Sequence, residues 1–488
     1  MARRVLLLWL AFILLLSVGA CAGPPPVPAA DTALPATTVA EAATPAPSAE
    51  ASATLPPSAT PTPPATDTAT PAADTATPTA SRSATSTATA TSTTRPAPTA
   101  TATAKPSATA TRTPTPVPPT ATPLPPTATP RKEAGRIFLG YYVPYDSSSW
   151  ASLQAQVDTL DYVALQIATL DYCGNVSSKD DRTLHAFASA HGLPVLASLF
   201  TSSTPLNHSV LTNPSSSANA ITQLVDYVVA EGYDGLDVDV ESVAATDRAA
   251  LTSFVANLSA ALHRQGKLIT MAVPAKTREV TTGWAGAYDY AALAAHLDLV
   301  TIMSYAYTTA SSAPGSTAPY NWVDQVATYA AGQFPPEKVL LGMAFYGYDW
   351  NTTAGGRARG LLYSQAAALA THYGATITLD PTTRSATFAY QADAKDALPY
   401  QPSPPLSGHE IADNPAPFCP LTPPAPTPRP VTPTPTPTGM QSHTVWLENA
   451  ASVAAKLDIA ARHGLRGAAA WRLGQEDPAS WPAVAAWK

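Results

Sequence analysis

Short apolar runs alternate with longer amphipathic segments between residues 135 and 488. Eight runs have the length and composition of buried strands: Ile137–Val143, Tyr162–Ala168, Pro194–Phe200, 233–241, Leu268–Val273, Leu299–Tyr305, Val339–Tyr346 and Gly467–Trp471. Because repeated strand–helix units pair in parallel through right-handed crossovers, this order predicts an α/β fold, a closed (β/α)8 TIM barrel. The alternative is an open doubly wound sheet, but no glycine-rich phosphate loop follows any predicted strand.

Two predicted helices flank the fourth of these strands. The first covers residues 217–231, with Ser217 as its N-cap and Gly232 after its end, and its apolar residues recur at helical spacing. The second begins at Thr246 as its cap and ends at Gly266. Flanking helices of this kind cover the sheet, so the strand between them is predicted to be buried.

A long insertion, residues 351–441, separates the seventh and eighth predicted strands. Its first half has helix and strand character in 364–373, 375–379 and 385–390, which predicts a small α+β unit. Its second half, 399–438, is rich in Pro and Thr and holds 15 prolines. We expect this half to loop into solvent, because so long a tract without regular structure is unusual inside a compact domain.

The first 130 residues differ sharply in composition from the rest. Arg3 and Arg4 precede the apolar run Val5–Val18, which is short for a bilayer span and has the shape of a signal peptide. Residues 1–21 end in Val-Gly-Ala-Cys, similar to a bacterial lipobox, in which Cys21 would be lipidated. An ordinary signal peptide with a chance cysteine is the alternative. We expect an exported protein that is lipid-anchored to the bacterial cell membrane and faces the outside.

Residues 22–130 form a separate segment. They hold 25 prolines, otherwise mostly Thr, Ala and Ser, and no Phe, Tyr, Trp, Ile or Met. Such a segment cannot bury enough apolar surface to offset the entropy lost on folding. It is therefore predicted to be a disordered stalk, and the folded domain is predicted to cover residues 135–488.

Charge and cysteine content narrow the class of protein further. The net charge is −7 and no Lys/Arg run occurs, which argues against a nucleic-acid partner. Only 12% of the residues are charged, so four acids within residues 234–241 stand out.

The remaining cysteines, Cys173 and Cys419, fall in predicted loops and could pair in an exported protein or stay free.

Three carboxylates alternate along the fourth predicted strand: Asp237, Asp239 and Glu241. Because strand side chains alternate between faces, all three share one face, with neighbours about 7 Å apart. Ionising all of them inside a protein is costly, so the pair Asp239/Glu241 should share protons and titrate as a unit. In a barrel, Glu241 would end the strand at the face where reactive groups lie. This pattern indicates proton transfer to a departing oxygen.

The same strand carries the pattern Asp-Gly-x-Asp-x-Asp-x-Glu over residues 234–241, and here the sequence resembles glycoside hydrolase family 18. The likeness covers essentially all of 135–488. It includes Gly140-Tyr-Tyr142 on the first strand, Met303-Ser-Tyr305 ending the sixth, and Tyr346-Gly-Tyr-Asp-Trp350 after the seventh. The segments 443–448 and 471–478 resemble the chitinase-like branch related to spore-cortex and cell-wall lytic N-acetylglucosaminidases.

The resemblance implies a retaining, substrate-assisted hydrolysis of β-1,4-linked N-acetylglucosamine glycans, in which the N-acetyl oxygen of the sugar attacks the anomeric carbon. It further implies a role for each matching residue. Glu241 would be the acid and base, Asp239 would bind the acetamido N–H, and Asp237 would support Asp239. Tyr305 would bind the acetamido oxygen. Trp471, Tyr141 and Met303 would contact the substrate or support the acids.

Other interpretations stay open. The family usually has Asp after the sixth-strand tyrosine, whereas this chain has Ala306, so a non-catalytic, lectin-like glycan-binding protein is the alternative function. The acidic strand could also be half-exposed, or bind Ca²⁺, although valines separate its acids where a calcium loop has polar residues. Chitin, peptidoglycan and N-glycan cores all carry the 2-acetamido group. No metal or organic cofactor is implied, and a monomer is expected.

Overall fold

The structure is a computed structural model that describes residues 135–421 and 437–488. Cys21, the signal peptide and the stalk predicted over residues 22–130 lie outside these described residues, as does part of the Pro/Thr-rich tract. Across the described ranges, no helix combines the length and apolar character needed to cross a bilayer.

Eight parallel strands close into a barrel, which confirms the predicted fold. They are β1 (Ile137–Tyr142), β2 (Tyr162–Leu170), β4 (Val195–Thr201), β5 (Gly235–Val240), β6 (Leu268–Pro274), β7 (Leu299–Met303), β8 (Val339–Ala344) and β15 (Gly467–Trp471). Each strand pairs with the next in chain order, and β1 pairs with both β15 and β2, so the sheet has no free edge within the barrel.

Helices surround the barrel and separate most of its strands. They are α1 (Ser147–Gln156), α2 (Arg182–His191), α3 (Thr204–Thr212), α4 (Pro214–Ala230), α5 (Arg248–Arg264), α6 (Tyr290–Ala294), α7 (Tyr320–Ala331), α8 (Tyr363–His372), α9 (Ala450–Arg462) and α10 (Ser480–Trp487). One large apolar cluster fills the layer between the helices and the outer faces of the strands. A smaller cluster, which includes Leu139, Tyr141 and Ala469, fills the barrel interior.

Two predicted helix starts are wrong by a few residues. Helix α4 begins at Pro214, and its cap is Asn213, whose side chain accepts hydrogen bonds from the backbone N–H groups of Ser215 and Ser216. Asn followed by Pro is a stronger start signal than Ser217, because proline at the first helical position needs no N–H partner. Likewise Thr246 does not cap α5, since it lies within a short 3-10 turn, Ala245–Asp247, that precedes the helix.

Two glycines let neighbouring barrel strands approach closely. A Cβ atom on Gly235 would lie 2.5 Å from the carbonyl oxygen of Leu268 on β6. A Cβ atom on Gly467 would lie 2.1 Å from the carbonyl oxygen of Ile137 on β1. These distances are shorter than any tolerated contact, so the narrow floor of the barrel requires glycine at both positions.

A second, antiparallel sheet stands between the seventh and eighth barrel strands. Its strands, in spatial order, are β10 (Arg359–Leu362), β9 (Tyr346–Asn351), β14 (Met440–Leu447), β12 (Ala386–Asp393) and β11 (Thr378–Leu379). Helix α8 packs its apolar residues against this sheet. The unit is wider than the insertion predicted over 351–441, because β9 and β14 pair with each other on either side of those limits.

The segment 404–419, which we call the strap, returns to the barrel. Its strand β13 (Ile411–Asn414) pairs antiparallel with β3 (Val176–Asp181), which extends the barrel sheet beside β2. The Nδ1 atom of His409 lies 2.7 Å from a carboxylate oxygen of Asp181. The prediction that this part of the tract loops into solvent is therefore wrong for the strap.

A disulfide joins the end of the strap to the barrel. Cys173 and Cys419 are bonded, with an S–S distance of 2.07 Å and a sequence separation of 246 residues. Of the two alternatives that the sequence left open, paired or free cysteines, the structure shows the pair. On the chain-entropy model, closing so long a loop stabilises the fold by roughly 5 kcal/mol.

Candidate active site

The three acids of β5 meet at the carboxyl end of the barrel. Asp237 and Asp239 point inward, while Leu236, Val238 and Val240 pack outward against the helices. Glu241 is the first residue beyond the strand, one place later than expected. The alternation therefore stacks the carboxylates from the barrel interior up to its mouth.

Asp237 is the deepest of the three and is completely buried. Its carboxylate accepts hydrogen bonds from Ser198 Oγ at 2.9 Å, Thr270 Oγ1 at 2.6 Å and Tyr141 OH at 3.4 Å. Burial raises the pKa of Asp237, and these three donors oppose that rise because they stabilise the ionised form. Asp237 is thus a buried carboxylate that three hydroxyl donors hold in place below Asp239.

Asp239 lies between the other two acids and has only 5% of its surface exposed. Its carboxylate accepts a hydrogen bond of 3.3 Å from the Nε2 amide of Gln166 on β2. Burial raises the pKa of Asp239 well above its usual value, and repulsion from Glu241 and Asp237 raises it further. The site therefore favours a shared proton between Asp239 and Glu241.

Glu241 is partly buried, and burial raises its pKa. Its backbone is fixed on both sides. The N–H donates to the carbonyl of Thr201 at 2.7 Å, and the carbonyl accepts from Asn207 Nδ2 at 2.5 Å. Asn207 is itself oriented by Thr201, whose hydroxyl donates to Asn207 Oδ1 at 2.7 Å. Sequence reasoning missed Asn207, because a polar residue on a surface helix carries no distinguishing pattern.

A cavity of about 310 Å³ opens above Asp239 and Glu241. The other residues that line it are Tyr141, Tyr145, Gln166, Phe200, Ala272, Met303, Tyr305, Tyr346 and Trp471. The ring centroids of Tyr141 and Trp471 are 5.7 Å apart, and those of Tyr305 and Tyr346 are 6.2 Å apart. Two aromatic pairs and two acids give the cavity the apolar walls and localised polar groups that sugar rings require.

Ala306 occupies the turn directly after Tyr305. Its backbone is left-handed, with φ of +60°, and its N–H donates to Thr317 Oγ1 at 3.2 Å. Left-handed backbone is uncommon for a residue with a Cβ atom, although Asp and Asn tolerate it better than Ala. The turn thus has a shape that suits a short polar side chain, and this chain places a methyl group there.

A family model that matches most of the chain connects this geometry to known proteins. The model described as "Glycosyl hydrolases family 18" matches residues 137–476, from β1 to beyond β15. The chain belongs to this family. The resemblance seen in the acidic strand is therefore confirmed over the whole barrel.

The proteins that this chain resembles include a cortex-lytic enzyme and a chitinase. The cortical fragment-lytic enzyme of Bacillus subtilis is 27% identical over 265 residues, 54% of this chain and 51% of that enzyme. A chitinase from Chromobacterium violaceum is 28% identical in a structural match that covers 72% of this chain and 98% of that one, with a TM-score of 0.59. The first three curated relatives are matched over 35%, 67% and 51% of their own length.

The spore cortex-lytic enzyme SleL of Bacillus megaterium shows the same fold. Its crystal structure matches 72% of this chain and 74% of that one, with 21% identity and a TM-score of 0.59. At 21% identity, this match supports a shared fold and not a shared function. The barrel fold is therefore common to this chain, the chitinase and the cortex-lytic enzyme.

The structure brings the predicted site residues of this family 18 chain together. Asp239, Glu241, Tyr141, Met303, Tyr305 and Trp471 all line the cavity, and Asp237 lies directly beneath it. Sequence reasoning missed Gln166, Tyr145 and Tyr346, which also line it. A signal for Gln166 was present, since it is the one polar residue in the run Val163–Ala168.

Proposed function

We propose that this chain is a glycoside hydrolase that cleaves β-1,4-linked N-acetylglucosamine glycans by a retaining, substrate-assisted mechanism. The observation that carries the proposal is the placement of the acids. Among the described residues that line the cavity, the carboxylates are Asp239 and Glu241, and both come from one end of β5. A retaining enzyme with its own nucleophile needs a second carboxylate across the sugar. The substrate's acetamido oxygen would supply that nucleophile.

In the first step, protonated Glu241 donates its proton to the glycosidic oxygen. The acetamido oxygen attacks the anomeric carbon as the bond to the departing sugar breaks, which forms a cyclic oxazolinium. Asp239 accepts a hydrogen bond from the acetamido N–H and stabilises the positive charge that develops there. The raised pKa of Glu241, caused by burial, suits a general acid that works near neutral pH.

In the second step, ionised Glu241 takes a proton from water as the water attacks the anomeric carbon from the face that the leaving group vacated, and the bond from this carbon to the acetamido oxygen breaks, which restores the acetamido group. Two inversions at this carbon give net retention. Tyr305 donates to the acetamido oxygen, and Trp471 forms an apolar floor for the sugar ring. Tyr141, whose hydroxyl donates to Asp237, holds the acids from below, and Met303 fills the wall beside Tyr305.

The proposal predicts strict dependence on the acetamido group. A nitrophenyl chitobioside should be hydrolysed, whereas the matching cellobioside, which has hydroxyl groups in place of acetamido groups, should react slower by about five orders of magnitude in kcat/KM, since it lacks the internal nucleophile. Proton NMR of the chitobiose product should show the β-anomer first. Equal rates for both substrates, or an α-anomer first, would contradict substrate assistance.

One observation favours the alternative of a lectin-like protein. Ala306 puts a methyl group where the left-handed turn suits a polar side chain, so sugar binding could persist with slow turnover. The chitobioside assay separates the two functions. Binding of chitooligosaccharides without hydrolysis, and recovery of hydrolysis in Ala306→Asp, would assign the loss to this position.

We propose further that the chain acts at a cell surface, lipid-anchored through Cys21. The support is the sequence Val-Gly-Ala-Cys at residues 18–21, followed by a long Pro/Thr-rich segment. In a bacterial host, Cys21→Ser should move the full chain from the membrane fraction to the soluble fraction, because a thioether-linked lipid can no longer form. The control is Ser17→Ala, which leaves the cysteine intact. Retention of the Cys21→Ser variant in membranes would exclude the lipid anchor.

A further inference from the structure

Gln166 is a polar residue placed in the apolar strand β2, and its side chain reaches an acid of the active site. The Nε2 amide lies 3.3 Å from Asp239 Oδ2. Strand β4 lies between β2 and β5, so the two backbones are separated by two strand spacings, about 10 Å. A side chain must be long to cross that distance, and glutamine is longer than asparagine by one methylene group.

An irregularity of β2 occurs at the same residue. Gln166 pairs with Ser198 of β4, and Ala168 pairs with the next residue of β4, Leu199. Ile167 therefore has no partner on β4 and forms a β-bulge. Bulges of this kind redirect side chains and are frequent beside active sites. The bulge therefore coincides with the residue whose side chain points into the cavity.

The titratable groups around Asp239 are all acids or phenols, so the contact with the Gln166 amide is important for its ionised form. The titratable groups that face it are Asp237 and Glu241 from its own strand end, Tyr141 of β1, Tyr305 after β7 and Tyr288 before α6. None of these described groups carries positive charge. Among the described residues, Gln166 is the donor that contacts the Asp239 carboxylate.

We propose that Gln166 is a positioning residue that holds the Asp239 carboxylate in its ionised, hydrogen-bonded orientation beside Glu241. The role deepens the proposed function and rests on it. A donated hydrogen bond stabilises the anion, so it opposes the rise that burial and the neighbouring acids cause in the pKa of Asp239 and favours the placement of the shared proton on Glu241. Gln166 thereby assigns the acid role to Glu241 rather than to Asp239.

The test uses the full chain with Gln166→Met, which keeps the length and removes the donor, and Gln166→Asn, which keeps the polarity and shortens the reach. In both variants the acid limb of the kcat/KM profile should move up by about one pH unit, because Asp239 loses the donor that favours its ionised form. The alkaline limb, which reports Glu241, should stay in place. Gln391→Met, a matched change on an exposed residue, should alter neither limb.

A second measurement keeps the role of Gln166 separate from the proposed function. In protein labelled with ¹³C-aspartate, the carboxyl resonance that disappears in Asp239→Asn should titrate at higher pH in both Gln166 variants. This holds even if the chain hydrolyses nothing, which would overturn the proposed function alone. Unchanged titration of Asp239, whether KM rises or not, would overturn the positioning role. Rescue by Gln166→Asn to the parent profile would also overturn it, since any polar side chain would then suffice.

Discussion

Replacing Glu241 by glutamine is expected to lower kcat by about 10²- to 10⁴-fold, the usual contribution of a general acid. Glutamine has the same shape but carries no proton that it can transfer. The fold should persist, because the contacts that fix residue 241 run through its backbone, to Thr201 and Asn207. Chitobioside hydrolysis measures the loss, and chitooligosaccharide binding by calorimetry should remain.

The leaving group distinguishes a lost acid from a damaged site. Release of nitrophenol from Glu241→Gln should fall less than release of a sugar, because nitrophenolate departs without full protonation. Glu410→Gln is the matched control, since 78% of that side chain is exposed and it does not line the cavity. A variant at position 241 that cleaves at the parent rate would remove Glu241 from the mechanism.

Asp239→Asn is expected to lower kcat by about 10²- to 10³-fold, because the oxazolinium charge would form without its neighbouring anion. The change also removes a like charge from beside Glu241. Burial still raises the pKa of Glu241, but without repulsion from Asp239 that pKa falls. Since hydrolysis needs protonated Glu241, the alkaline limb of the pH–rate profile should move to lower pH.

Two comparisons make this prediction specific. Asp458→Asn, on a side chain that is 61% exposed, should leave both rate and profile unchanged. Cellobioside, which has no acetamido group, should gain nothing from Asp239, so at a pH below both alkaline limbs the variant and the parent should hydrolyse it equally slowly. An alkaline limb that stays in place or rises would contradict the coupling between the two acids.

The barrel could be predicted because each of its strands and helices is marked by a pattern within its own short stretch of sequence. Each strand is a short apolar run, and each flanking helix repeats its apolar residues at helical spacing. Boundaries were less accurate where two elements share one apolar run. The apolar run Val339–Tyr346 predicts one strand, but β8 ends at Ala344 and Tyr346 already belongs to β9 of the second sheet. Hydrophobicity alone does not mark such a change of sheet.

The strap could not be predicted because its stability is not local. Ile411-Ala-Asp-Asn414 has no apolar alternation, and it becomes a strand only by pairing with β3, more than 200 residues earlier in the chain. The proline content of its surroundings predicted an irregular loop. Hydrogen bonds, the His409–Asp181 pair and the disulfide together outweigh that tendency.

Within the site, the acids and the support from Tyr141 were predictable, whereas the contact between Gln166 and Asp239 was not. Alternation alone placed Asp237, Asp239 and Glu241 on one face. Gln166 reaches Asp239 across a third strand, through a bulge that no sequence periodicity reveals. Contacts of this kind depend on the curvature of the barrel sheet, which turns the inward side chains of β2 and β5 toward each other across β4.

The bond between Cys173 and Cys419 also decides what a protease could do to this molecule. A single cut anywhere between these residues leaves two pieces that remain covalently joined, because each keeps one cysteine of the pair. A cut within residues 422–436 falls outside the closed loop. The released piece would contain β14, β15 and Trp471 but no cysteine, so it would be retained by non-covalent contacts, among them the pairing of β15 with β1 and β8 and of β14 with β9 and β12. The consequence of a cut is therefore unequal along the chain, and Trp471 of the cavity wall lies in the part that the disulfide does not tether.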